Sequence, residues 1–169
     1  MLSYATAGTK RKACVDSTPL DVRDGLTSAD GVSHPLRWGV LGASNISSDW
    51  CKCLRHVPGA SIVAVAARSL ERATAFASKH GIPKVCTTYS ELVSDPDVDI
   101  IYVGTKTFSH KEHSLLAIAA GKHVLCEKPL AESLADAHDM FDAARARGVM
   151  LQEGMWTRFF PAVEVELAR

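Results

Sequence analysis

No apolar run in the sequence approaches the roughly 20 residues that a membrane span requires, so no bilayer-spanning segment is expected. Net charge is also missing: 19 Lys and Arg balance 19 Asp and Glu, which leaves no long-range field for attracting nucleic acid or an anionic membrane surface. Cysteine is sparse and odd in number, five residues at Cys14, Cys51, Cys53, Cys86 and Cys126, in no disulfide framework. Cys51-x-Cys53 lacks the second ligand pair of a structural zinc site, so the thiols read as reduced, in a cytoplasmic protein without metal. Residues 1–35 contain no signal-peptide core. Their basic cluster Lys10-Arg11-Lys12 is followed by Asp16, Asp21, Asp24 and Asp30, too acidic for a mitochondrial transit peptide. That segment is expected to be a polar, disordered extension. Internal repeats and low-complexity tracts are absent as well.

A chain of 169 residues that is 47% hydrophobic can bury one sizeable core. From Leu36 onward, short apolar runs alternate with helical segments, with strands expected at 36–41, 61–67, 85–87, 100–103, 123–126 and 149–152. The pattern predicts an α/β fold over residues 36–160, a doubly wound parallel sheet of about six strands. Thr88 with Glu91 and Ser109 with Glu112 fit the Ser/Thr-x-x-Glu capping box, and Gly81, Gly121 and Gly148 fall where helices should stop. Between Ala131 and Arg147, Leu134, Ala137, Met140, Phe141 and Ala144 recur at helical spacing and predict one buried stripe.

The first strand runs into Gly42-Ala43-Ser44-Asn45-Ile46-Ser47, the place of a dinucleotide-binding turn in a βαβ unit. Only the first glycine of G-x-G-x-x-G is kept. Ser44 and Ser47 are small enough for close approach by a pyrophosphate, whose charge would meet the free N–H groups at the start of the helix. Gly42, Ser44, Asn45 and Ile46 are therefore candidate cofactor contacts, although the same turn also fits a strand-to-helix connection without ligand. After the second strand the chain reads Arg68-Ser69-Leu70-Glu71-Arg72, with no acid at the strand tip for the ribose hydroxyls of NAD. Arg68, Ser69 and Arg72 favour the 2'-phosphate of NADP over NAD. Read blandly, Arg68 is a surface residue and Ser69 a helix cap.

The run Ala120-Gly121-Lys122-His123-Val124-Leu125-Cys126-Glu127-Lys128-Pro129 resembles the glucose-fructose oxidoreductase/inositol dehydrogenase family. Glu153-Gly154-Met155-Trp156-Thr157-Arg158-Phe159-Phe160-Pro161 is similar to its dihydrodiol dehydrogenase and NADP-linked D-xylose dehydrogenase branch. The resemblance extends from about Leu36 to the end and implies a Rossmann domain that binds NADP. It implies that Lys128 lies beside the nicotinamide and polarises a reacting hydroxyl or carbonyl, that Glu127 orients the site, and that the bond before Pro129 is often cis. Thr105 to His110 occupies the family's T-P-x-x-x-H stretch under the cofactor. Thr105 and His110 match it, whereas Lys106 stands where proline is usual. Trp156 and Arg158 would line the substrate pocket near the nicotinamide; the aromatic residues there also fit plain core. His110 and His113 have no evident third ligand, so no metal is expected.

Family resemblance also implies a small-molecule substrate, an aldose or cyclic diol, and homodimeric full-length relatives. Residues 161–169 resemble the start of a helix leading to a second α+β domain, which is expected to be missing. A non-catalytic NADP(H)-binding module and an inactive truncation product remain as alternatives. A short-chain dehydrogenase is the disfavoured alternative family.

Overall fold

Apolar runs of three to seven strand residues, bounded by turns, suit a parallel sheet whose inner strands are covered on both faces. The computed structural model describes residues 26–27, 33–160 and 163. The expected disorder of residues 1–35 and the expected helix over 161–169 fall largely outside that description; Leu26–Thr27 pairs antiparallel with Ser33–His34. The main sheet has six parallel strands: β1 (Leu36–Leu41), β2 (Ala60–Ala66), β3 (Lys84–Cys86), β4 (Ile100–Val103), β5 (His123–Glu127) and β6 (Leu151–Gly154). Their spatial order is β3-β2-β1-β4-β5-β6, the doubly wound arrangement, with the order reversing between β1 and β4.

Five helices connect the strands: α1 (Asn45–Leu54), α2 (Leu70–His80), α3 (Tyr89–Ser94), α4 (His110–Ala119) and α5 (Leu134–Arg147). Alternation along the strands sorts side chains into two cores. Trp38, Val40, Val65 and Tyr102 pack with Cys51 and Leu54 of α1 and Phe76 of α2. Leu41, Ala66, Ile101 and Val103 pack with Leu92 of α3, Ile118 of α4 and Met140 of α5. The thiols of Cys51 and Cys126 are buried, which pushes them up to about 11 and about 12 and makes them inert packing groups.

Local signals were read with mixed success. Gly81, Gly121 and Gly148 have φ of 60°, 79° and 72°, as helix stops require. Thr88 caps α3, accepting from the Glu91 N–H at 3.0 Å, but the Glu91 carboxylate accepts from Thr87 rather than from Thr88. Ser109 makes no side-chain cap bond, because a 3-10 turn over Thr107–Ser109 leads directly into α4 and leaves Ser109 in a helical conformation. The stripe on α5 is also narrower than expected: Met140 and Ala144 are buried, whereas Leu134 is 75% exposed and Phe141 faces solvent. Ser133 caps that helix, so it starts at Leu134 rather than near Ala131. β6 begins two residues later than the expected strand.

At the amino ends of the two central strands, opposite the turn after β1, Arg37 clamps β1 to β4. Its backbone N–H and Nε donate to Asp99 Oδ2 at 2.9 and 3.0 Å, and its second amino group to Oδ1 at 2.8 Å. Burial raises the Asp99 carboxyl, but these bonds outweigh it and hold the group below its ordinary value. Asp99→Ala is expected to lower stability by about 1–2 kcal/mol, the modest end for charge-assisted bonds because both side chains are about a third exposed, as read by urea denaturation.

Two buried histidines set a pH dependence. His80 bonds Ser48 Oγ at 2.9 Å and His113 bonds Thr105 Oγ1 at 2.9 Å; burial holds both imidazoles below the usual histidine range. In the folded chain both prefer the neutral form, so their contribution is fully present above about pH 6.5 and is lost as the pH falls through their folded values. Melting temperature is expected to fall between pH 7.5 and 5, and His80→Gln to flatten that slope.

Candidate active site

Where the strand order reverses, the carboxyl ends of β1 and β4 diverge and leave a crevice for a ligand. Its walls enclose a cleft of about 490 Å³ lined by Gly42, Ala43, Ser44, Ala67, Arg68, Arg72, Tyr89, Gly104, Thr105, Lys106, Phe108, Ser109 and His113. The floor is built from backbone. Gly42 has φ of +107°, and a methyl group there would press on Thr105 and the Gly104 carbonyl. A methyl at Gly104 would overlap Ser47 Oγ and the Tyr102 ring. Ser44 caps α1 by accepting from the Ser47 N–H at 3.1 Å, so the first two helical N–H groups, on Asn45 and Ile46, have no acceptor within the helix. Two glycines that admit no side chain and a capped helix start fit a diphosphate.

Charge follows the same plan. Arg68 and Arg72 stand beside the end of β2, and Arg72 donates to the Ala43 carbonyl at 3.3 Å. Tyr89 lies between these guanidinium groups and the far wall. Burial raises its phenol while Arg68 and Arg72 pull it down, and its ring meets His113 edge-on at 4.7 Å. Since His113 bonds Thr105, a continuous set of contacts joins the arginine end of the cleft to the β4 end. No Asp or Glu lines the cleft.

Glu127-Lys128-Pro129 follows directly from β5, and the Lys128–Pro129 bond is cis. Three contacts pin this loop. Tyr102 donates its hydroxyl to Glu127 Oε1 at 2.9 Å, His110 Nδ1 meets the Pro129 carbonyl at 2.8 Å, and Glu153 accepts from the Leu130 N–H at 2.9 Å. Tyr102 is fully buried and stacked on Trp50 at 4.2 Å. Burial first, then the Glu127 charge, pushes its phenol well above the tyrosine range, so it stays a donor at any working pH. The Lys128 side chain is exposed.

The residues singled out from sequence therefore divide. Gly42, Ser44, Arg68, Arg72 and Thr105 share the cleft. Ser69 is the N-cap of α2, and Asn45 opens α1. His110 is buried, with both ring nitrogens against backbone carbonyls, of Pro129 and of Thr105 at 3.2 Å, so it braces the loops instead of facing the cleft. Ile46, Glu127 and Trp156 line a second, apolar recess of about 340 Å³ with Trp50, Leu125, Met155 and Phe159. Arg158 lies in a 3-10 turn and borders neither cavity. Sequence reasoning missed Tyr89 and Tyr102; a lone tyrosine inside the aliphatic strand β4 was the available signal for Tyr102. It also overlooked that Tyr102 to Lys106 has the Tyr-x-x-x-Lys spacing of short-chain dehydrogenases. In a helix that spacing makes the two side chains neighbours; here Tyr102 sits buried in β4 and Lys106 in the exposed loop beyond it. Among the described residues no three His, Cys, Asp or Glu side chains gather as metal ligands, and no helix is long and apolar enough to cross a membrane.

A phosphate-sized glycine floor, a capped helix start and arginines at the second strand tip, all at the reversal of strand order, define a dinucleotide-binding domain of an oxidoreductase. Comparison with known proteins specifies it: residues 36–155 match the oxidoreductase family with NAD-binding Rossmann fold, that of glucose-fructose oxidoreductase and inositol dehydrogenase, and the chain belongs to that family. It is 52% identical over 131 residues to trans-1,2-dihydrobenzene-1,2-diol dehydrogenase of Sus scrofa, and 48% identical to the protein of that name of Homo sapiens. Either match covers 76% of this chain and 39% of the relative's length. Among solved structures, KijD10, a 3-ketoreductase from Actinomadura kijaniata in complex with NADP, superposes with a TM-score of 0.74 at 34% identity, over 80% of this chain and 43% of that one. An NAD-binding oxidoreductase from Klebsiella pneumoniae gives 0.73 at 30% identity, over 77% and 37%.

Gly104→Ala forces Ser47 and the α1 start away from the cleft floor. It is expected to weaken dinucleotide binding at least tenfold, roughly the loss of one or two hydrogen bonds to a charged group, as measured by quenching of tryptophan fluorescence.

Proposed function

We propose that the chain forms the cofactor-binding part, residues 36–160, of an NADP-dependent oxidoreductase. It serves hydride transfer between a nicotinamide and the C–OH or C=O of a cyclic diol or sugar. The observation that carries this reading is the carboxylate-free cleft with Arg68 and Arg72 at its β2 end, since a ribose without a 2'-phosphate is ordinarily met there by an acid. The complex of KijD10 with NADP and the dihydrodiol dehydrogenase relatives point the same way. When bound, the nicotinamide supplies or accepts the hydride. Lys128 donates a hydrogen bond to the substrate oxygen as that atom gains charge, and in the oxidation direction takes up its proton. Glu127, fixed by Tyr102, holds the loop that carries the lysine. The apolar recess that Glu127 borders, with Trp156 and Phe159, suits the face of a ring. Burial of Cys51, Cys86 and Cys126 as free thiols supports a reducing, cytoplasmic setting.

The chain spans 39% of the length of the dihydrodiol dehydrogenases it matches. Hydride transfer needs both reactants oriented, and turnover by this polypeptide alone is expected to be very low.

Thermal unfolding with NADP, NAD or neither tests the cofactor assignment, because a ligand of the native state raises the melting temperature. A rise with NADP that exceeds the rise with NAD, and that Arg68→Ala abolishes, is the expected result; equal rises would remove the NADP preference. Lys128→Ala is expected to leave the NADP shift intact and to eliminate any NADP-linked oxidation of a trans-dihydrodiol or D-xylose.

A further inference from the structure

Three cations line the cleft, and two have been assigned. The third, Lys106, stands in the loop after β4, across the strand-order reversal from Arg68 and Arg72. Among the described residues it has no ion-pair partner, and its Nζ lies 5.9 Å from the centre of the Phe108 ring, which steers the ammonium along the cleft wall. Arg68 likewise enters no ion pair, and Arg72 meets only the Ala43 carbonyl. Like charges gathered around one cleft without a counter-charge destabilise the empty protein and favour an anion that neutralises them.

We propose that Lys106 is a diphosphate-binding residue, a cation that holds the bridging phosphates of the dinucleotide against the Gly42 turn. The geometry separates its task from that of the arginines. Gly42 is packed against Gly104 and Thr105, so the floor where the helix start presents its free N–H groups lies next to the loop that carries Lys106. Arg68 and Arg72 flank the other end, where the second strand meets the adenosine ribose. The inference rests on the cofactor reading given above. It adds that affinity has two electrostatic parts, one for the 2'-phosphate and one for the diphosphate.

Equilibrium titration of the 169-residue chain with NADPH, NADH and adenosine 2'-monophosphate, in the wild type, Lys106→Ala, Lys106→Arg and Arg68→Ala, separates these parts. The monophosphate carries the 2'-phosphate but neither bridging phosphate. Lys106→Ala should weaken NADPH and NADH alike, by roughly fivefold at low salt and less at high salt, and should leave the monophosphate unchanged. Lys106→Arg should restore affinity, and Arg68→Ala should weaken NADPH and the monophosphate while sparing NADH. Because Lys106 is exposed, its variants should melt with the wild type when no nucleotide is present. Unchanged NADPH and NADH affinity in Lys106→Ala overturns the proposal, as does a loss for the monophosphate equal to that for NADPH. Failure of the wild type to bind either dinucleotide overturns the cofactor reading itself and this proposal with it.

Discussion

The reversal of strand order between β1 and β4 is the constraint on which the other features depend. Two neighbouring parallel strands whose connections leave in opposite directions cannot close over their shared carboxyl end, so a crevice opens there by topology alone. At the other end of the same pair, the Arg37–Asp99 clamp and the Asp99 N–H bond to the Arg37 carbonyl at 2.8 Å hold the strands together. The crevice therefore has a fixed width, and small residues at Gly42 and Gly104 turn its floor into backbone. Without side chains on that floor, the exposed N–H groups of α1 become the nearest donors to whatever enters.

Reactive chemistry is held by a second layer of contacts beneath the loop that presents it. Lys128 is exposed and mobile as lysine side chains are, but the backbone that carries it is tied at Glu127, Pro129 and Leu130 to three different elements: β4, α4 and β6. Each tie uses a buried or half-buried polar group whose partner is already in place. Interior polar residues thus serve to orient the loop that presents Lys128.

Fold class, strand count and the strand-to-helix turn at Gly42 were legible in the sequence, because short apolar runs between glycine and capping signals have few alternatives. The cluster around Glu127-Lys128-Pro129 was legible only as a resemblance; nothing local in that tripeptide announces Tyr102, His110 and Glu153 as its supports, since they come from distant segments. The family resemblance marks His110 as a cofactor contact, and only the folded chain shows its ring between two backbone carbonyls. The α5 stripe misled for a related reason: helical periodicity says which residues share a face, not how far the sheet beneath extends to cover it. Leu134 lies past that edge.

Uneven covering of the sheet has a dynamic consequence. The inner strands β1 and β4 are sealed by helices on both faces, and Val40, Leu41, Ile101 and Val103 show no exposed surface. β6, at the rim, buries Leu151 but leaves Gln152 open, with exposed Met150, Trp156 and Phe159 alongside. Amide protons should therefore exchange with solvent on very different schedules: slowly, through global unfolding, in the pair that frames the crevice, and quickly, through local opening, at the rim. The crevice is carved into the most persistent part of the molecule, while the aromatic rim that borders the second recess belongs to its most readily opened part.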